Sequence, residues 1–157
     1  MRKRVILALP LLALAAACGG NSSSPSGSTD YAPNFVGTYS GTQTASFTSS
    51  TTGQTSTGTT QTAFQIFAGT AVSDLSFGGS CGLTGHASSA SNFITFQNTC
   101  TTHDPGTNCD YTYYFQAGSG TKNGTALTMS IPGTYASRCP LGNDSGTMNL
   151  TWNMTKQ

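Results

Sequence analysis

The chain has 157 residues, a formal charge of +1 and only 7% charged residues, and its five acidic groups are all aspartate. Three of the six basic residues are Arg2, Lys3 and Arg4, so what remains offers no basic face to neutralise phosphates, and no nucleic-acid partner is expected. Thr, Ser, Gly and Asn dominate; they make poor helices, while the accompanying Thr, Tyr, Phe and Ile suit strands, and an all-β domain follows.

Residues 5–17 carry no charge and are rich in Leu and Ala, directly after the three basic residues. That is the pattern of an export signal, and it is too short for a membrane-spanning helix, which needs about 20 apolar residues. The apolar run stops at Leu14-Ala15-Ala16-Ala17-Cys18. This stretch resembles the lipobox of bacterial lipoproteins, with Ala15 where Leu is commonest and Leu14 one place earlier. The resemblance implies removal of residues 1–17, a diacylglycerol on the Cys18 thiol and usually acylation of its amino group. Several acyl chains, at about 0.8 kcal/mol per buried methylene, anchor a protein stably where one is marginal. Gly19 follows the cysteine rather than Asp, which in that family implies the outer rather than the inner membrane of the bacterial envelope. The remaining chain holds Lys122, Arg138 and Lys156 against Asp30, Asp74, Asp104, Asp110 and Asp144, a formal charge of −2.

Residues 18–30 comprise the cysteine to be lipidated and GGNSSSPSGSTD, which reads as a flexible tether; residues 31–157 are read as a single β-domain. Its first strand is expected over 35–47, where Phe35, Tyr39, Ala45 and Phe47 share one parity and Thr and Ser the other. Residues 48–62 hold no apolar side chain and suggest an extended, solvated hairpin. Further strands are expected over 63–68, 71–77, 81–87, 93–100, 110–117, 125–131 and 147–154, the last with Met148, Leu150, Trp152 and Met154 on one face. About eight short strands between Gly, Ser and Asn turns predict an antiparallel meander, closed as a small barrel or folded as a two-sheet sandwich.

Cys81, Cys100, Cys109 and Cys139 lack the CxxC spacing of zinc sites, and export favours disulfides. Pairing strand 81–87 with 93–100 at residue numbers summing to 181 places Cys81 opposite Cys100, with the turn in residues 88–92. A hairpin turning at Lys122-Asn123-Gly124 sets Tyr111, Tyr113 and Phe115 with Leu127, Met129 and Ile131, and leaves Cys109 and Cys139 at its open end, slightly offset. The pairing 81–100 with 109–139 is preferred, and 100–109 with 81–139 also satisfies parity.

No cofactor, metal or catalytic group is expected. His103-Asp104, with Asp110 beyond, is the one concentration of ligand-type residues, and Asp104-Pro105-Gly106 is itself a turn signal. His86 falls on the outward parity of its strand. For binding, Tyr114 points away from Tyr113 and Phe115 and, with Thr112 and Gln116, forms the candidate exposed contact. Gly37-Thr38-Tyr39 resembles in position the Gly-x-Trp of lipocalins, with Tyr for Trp, and that likeness implies a barrel holding an apolar ligand. The resulting expectation is a lipid-anchored, non-catalytic envelope module, structural or interacting with a protein. The alternatives are a lipocalin-like binder of a small apolar ligand and, as a third, a hydrolase using His103.

Overall fold

The computed structural model describes residues 28–79 and 81–157. The signal, Cys18 and the tether up to residue 27 lie outside the described residues. The fold is all-β: one ten-stranded antiparallel sheet follows a four-residue helix, α1 (Ala32–Phe35). The strands are β1 (Gly37–Ser49), β2 (Thr55–Ala68), β3 (Asp74–Phe77), β4 (Thr84–Ala87), β5 (Asn92–Thr95), β6 (Asn98–Asp104), β7 (Cys109–Phe115), β8 (Gly118–Asn123), β9 (Ala126–Cys139) and β10 (Gly142–Lys156).

Eight of these close a ring in the order β1-β2-β3-β4-β5-β8-β9-β10, with β10 pairing back onto β1. The structure is therefore a barrel rather than a two-sheet sandwich. β6 and β7 form a hairpin outside the ring, attached to the far half of β9. β1, β2, β9 and β10 outrun their short neighbours, so beyond the ring they continue, with β7 and β6, as a curled six-stranded sheet.

Inward parity explains the core. Tyr39, Ile66, Leu75, Phe77, Phe93, Leu127, Ile131 and Met154 are buried inside the ring. Phe35 closes one end, its ring 5.3 Å from that of Phe93, and the Tyr39 hydroxyl donates to the Phe35 carbonyl at 2.7 Å. The Asp30 carboxylate accepts from the Ala32 and Ser73 N–H groups at 3.0 and 2.8 Å, which fastens the entering chain to the β2–β3 turn. Outward, Thr and Ser hydroxyls pair between β1 and β2: Thr44 with Thr59, Ser46 with Thr57 and Thr48 with Thr55, at 2.8 to 3.1 Å. This is the solvated hairpin expected over residues 48–62.

Several boundaries differ from the expectation. Phe35 belongs to α1, not to the first strand. Residues 71–73 form a turn in which Ser73, at φ +63°, is buried and bonded to Tyr31. The span 93–100 breaks into β5 and β6, and β8 was not anticipated. The ladder between β4 and β5 pairs Ala87 with Phe93 and Gly85 with Thr95, numbers summing to 180 rather than 181. One residue of slip exchanges the faces of a strand. Phe93 and Thr95 accordingly point inward, and Ile94 and Phe96 are exposed. The deciding partner is Gly120 on β8, opposite Phe93, where a Cβ would overlap the Phe93 ring.

Leu127 lies opposite Lys122 on β8, not opposite the Tyr111–Phe115 strand, and the turn is the two residues Gly124-Thr125 rather than three. Gly124 does take the left-handed conformation, at φ +58°. β7 instead pairs with residues 133–138 of β9. Pro132 sits where β9 changes partner from β8 to β7; its carbonyl accepts from the Gln116 N–H at 2.9 Å, and its missing N–H falls in the gap between the two partners.

Both preferred disulfides are present. Cys109 and Cys139 follow directly in the β7–β9 register, without an offset, 4.3 Å apart at Cα. Cys81 and Cys100, 5.2 Å apart at Cα, do not face each other across a hairpin. Cys81 belongs to the β3–β4 connection and Cys100 to β6 at the far edge of the curled sheet, so this bond ties together edges that no ladder joins. The Asn98 side-chain amide donates to the Cys81 carbonyl beside it.

Candidate functional site

Where the ring opens into the curled sheet, the inward faces of β1, β2, β9 and β10 diverge from the β3–β4 connection and leave a hollow of about 280 Å³. Trp152, Leu150, Met129, Phe64, Phe77 and Leu83 supply its apolar lining, with the Gln43 and Thr62 side chains the polar ones. The register explains the grouping: Gln43, Trp152 and Met129 are successive cross-strand partners on β1, β10 and β9. The connection carrying Leu83 is held by the Cys81–Cys100 bond.

Beyond the hollow the curl brings distant strands together. The Phe47 ring lies 5.3 Å from Tyr135 and 6.4 Å from Tyr113, although β10 and β9 separate β1 from β7 in the sheet. Tyr111, Tyr113 and Phe115 line one face of β7 with successive rings 6.2 to 6.3 Å apart. Phe115 is buried, whereas Tyr111 and Tyr113 are only partly covered. Desolvation raises the Tyr113 hydroxyl above its ordinary value. Burial, then the bond to Asp144 and its negative charge, push Tyr135 up to about 12. Asp144 is lowered in turn, chiefly by the Tyr135 hydroxyl and next by Ser49.

Tyr114 and Gln116 point outward, as their parity requires, and share a shallow surface hollow with Thr99 and Thr134. Thr112 is on the same side but faces Thr101, its hydroxyl 3.3 Å away. His103 Nδ1 lies 2.9 Å from Asp110 Oδ1 on opposite strands, and His86 Nδ1 lies 3.1 Å from Asp74 Oδ1. The His103–Asp110 pair is solvent-exposed and the His86–Asp74 pair half-buried, and among the described residues neither bonds a serine or threonine hydroxyl. Asp104 turns away from His103 to take the Thr107 hydroxyl and the Gly106 N–H; these bonds, Thr107 first, lower its carboxyl. No group of three His, Cys, Asp or Glu side chains is placed to hold a metal among the described residues.

The sequence reading did not single out the hollow. A signal was present nonetheless: Gln43 is a polar side chain at the inward parity of Tyr39, Ala45 and Phe47, facing the strand that carries the sole tryptophan. Fold and site together define an antiparallel eight-stranded barrel, plugged at one end and apolar at its mouth. No family model matches the chain, and no curated protein or solved structure matches it either.

Proposed function

We propose that this protein is a non-catalytic binding module of the bacterial envelope, fixed to the outer membrane through lipid on Cys18, whose barrel mouth takes a small apolar ligand. The observation that carries the ligand is the apolar lining of the hollow by Trp152, Leu150, Met129, Phe64, Phe77 and Leu83; at about 280 Å³ it is just below the range of small-molecule pockets, about 300–1,000 Å³. The lipobox-like run ending at Cys18 supports the anchor. Burial of apolar surface drives such binding, and Gln43 offers one hydrogen-bonding amide to orient the guest.

Trp152 is the only tryptophan, so its emission reports on the hollow directly. Titration with N-phenyl-1-naphthylamine, an uncharged probe, should quench Trp152 by energy transfer and raise the probe's own emission. Leu83→Phe, which occupies part of the space, should weaken both signals. A saturating probe that leaves Trp152 unchanged would defeat ligand binding and leave a purely structural envelope role in its place.

A further inference from the structure

Six large apolar side chains are exposed among the described residues, and four belong to one region: Phe67 at 45%, Val72 at 49%, Ile94 at 45% and Phe96 at 42%. The sheet explains their grouping. Phe67 lies opposite Ser76, Ser76 opposite Thr84, and the Phe96 N–H bonds the Thr84 carbonyl, so Phe67 and Phe96 bracket an outward row over β2 to β5. One step along the strands, about 7 Å, Asp74 lies opposite His86 and His86 opposite Ile94. The Asp74–His86 pair supplies the only ionisable groups in these rows, and neither a lysine nor an arginine belongs to them.

The chain enters the domain at this patch. Ser28 and Thr29 share a surface hollow with Val72, Ser73 and His86, and Ser73 accepts the Tyr31 N–H while donating to the Thr29 carbonyl. Ten residue steps separate Ser28 from Cys18, so a lipid on Cys18 lies at most about 35 Å from Ser28. The two remaining exposed apolar residues, Tyr114 and Leu141, lie elsewhere. Leu141 is in the β9–β10 turn, at the opposite end of a 14-residue strand about 45 Å long.

We infer that the outer face of β2 to β5, with Phe67 and Ile94 on its strands, Val72 in the β2–β3 turn and Phe96 just past β5, docks on the lipid bilayer surface and holds the barrel in one orientation, with the β9–β10 turn pointing away from the membrane. This rests on the lipid anchor proposed above. Tethering confines the patch near the bilayer, and apolar side chains sink into the boundary between headgroups and acyl chains, about 5–10 Å deep. A patch without lysine or arginine has little electrostatic call for anionic lipid, so a zwitterionic bilayer suffices.

The test uses the full lipidated chain in phosphatidylcholine vesicles whose acyl chains are brominated, with Ile94→Trp and, separately, Leu141→Trp, both at exposed positions. The docked orientation predicts loss of emission from the indole introduced at 94 and none from that at 141, against the constant background of Trp152. Unquenched emission at 94, or equal quenching at both positions, overturns it. An indole at 94 that escapes lipid quenching but shifts to the blue as protein concentration rises would overturn it in favour of a second copy of the chain. The intact mass of the same sample separates the two readings. An acylated Cys18 with no quenching at 94 removes the docking alone, while an unmodified N-terminus removes the anchor and the docking with it.

Discussion

The Tyr135 hydroxyl donates to the Asp144 carboxylate at 2.6 Å across the β9–β10 hairpin, and Ser49 donates to the same carboxylate at 2.7 Å from the end of β1. One negative charge thus ties three strands together at the open end of the barrel. Its pH dependence follows from the direction of each shift. Asp144 titrates below its unfolded value, so its contribution is complete above about pH 4 and disappears as pH falls through the depressed folded value. Tyr135 titrates above its unfolded value, so its contribution holds below about pH 10 and is lost as pH rises towards 12. Thermal melts should show Tyr135→Phe less stable than the native chain near neutrality. The gap between them should narrow both below pH 4 and above pH 11. A gap that stayed constant across pH would show the bond contributes nothing.

The two disulfides should be separable by function. Each closes a loop of similar length, 19 and 30 residues of separation, so loop-closure entropy assigns both about 3–4 kcal/mol of stability. Only Cys81–Cys100 holds the connection that carries Leu83. Cys81→Ala with Cys100→Ala should therefore lower the urea midpoint and also weaken binding of N-phenyl-1-naphthylamine. Cys109→Ala with Cys139→Ala should lower the midpoint comparably and leave probe binding intact.

Gly120 leaves room for Phe93. A methyl there would overlap the aromatic ring, which packs 5.3 Å from Phe35 and 5.6 Å from Phe77 and has no open side. Gly120→Ala is expected to destabilise by about 1–3 kcal/mol, the usual cost of overpacking a filled core. Restoration of the urea midpoint by Phe93→Leu in the same chain would identify the clash as the cause.

Asp30 fastens the entering chain through the Ala32 and Ser73 N–H groups. Asp30→Ala removes both bonds and should cost about 1–2 kcal/mol in urea unfolding, comparable to loss of a helix cap. Asp30→Asn keeps an acceptor oxygen at the same place. It should recover most of the loss, because the interaction is with backbone donors rather than with a cation.

Alternating apolar and polar residues made most strands legible. Met148, Leu150, Trp152 and Met154 announce β10, and the Thr-rich run around residues 48–62 announces the long β1–β2 hairpin. Both are local signals, carried by the two-residue period of a strand. Parity narrowed the disulfides to two sets without choosing between them, and for 81–100 the expected hairpin was not the one that forms. The cysteines meet because the sheet curls β6 back towards the β3–β4 connection. The hollow is not legible in the sequence for the same reason. Its lining comes from β1, β2, β3, β9, β10 and the β3–β4 connection, and parity says which way Trp152 or Phe64 points without saying what stands opposite.

By itself the sequence determined the all-β class, the side of the sheet that β1 and β10 each bury, and which cysteines could pair. The tertiary structure alone decided the closure of eight strands into a ring, the register that turns Phe93 inward and Ile94 outward, the use of β8 as a partner for β5, and the place where the barrel stays hollow. Side-chain direction within a strand is set by the local backbone. The choice of neighbouring strand is set by packing between residues far apart in the chain, such as Phe93 against Gly120 and Phe35, and no local pattern encodes it.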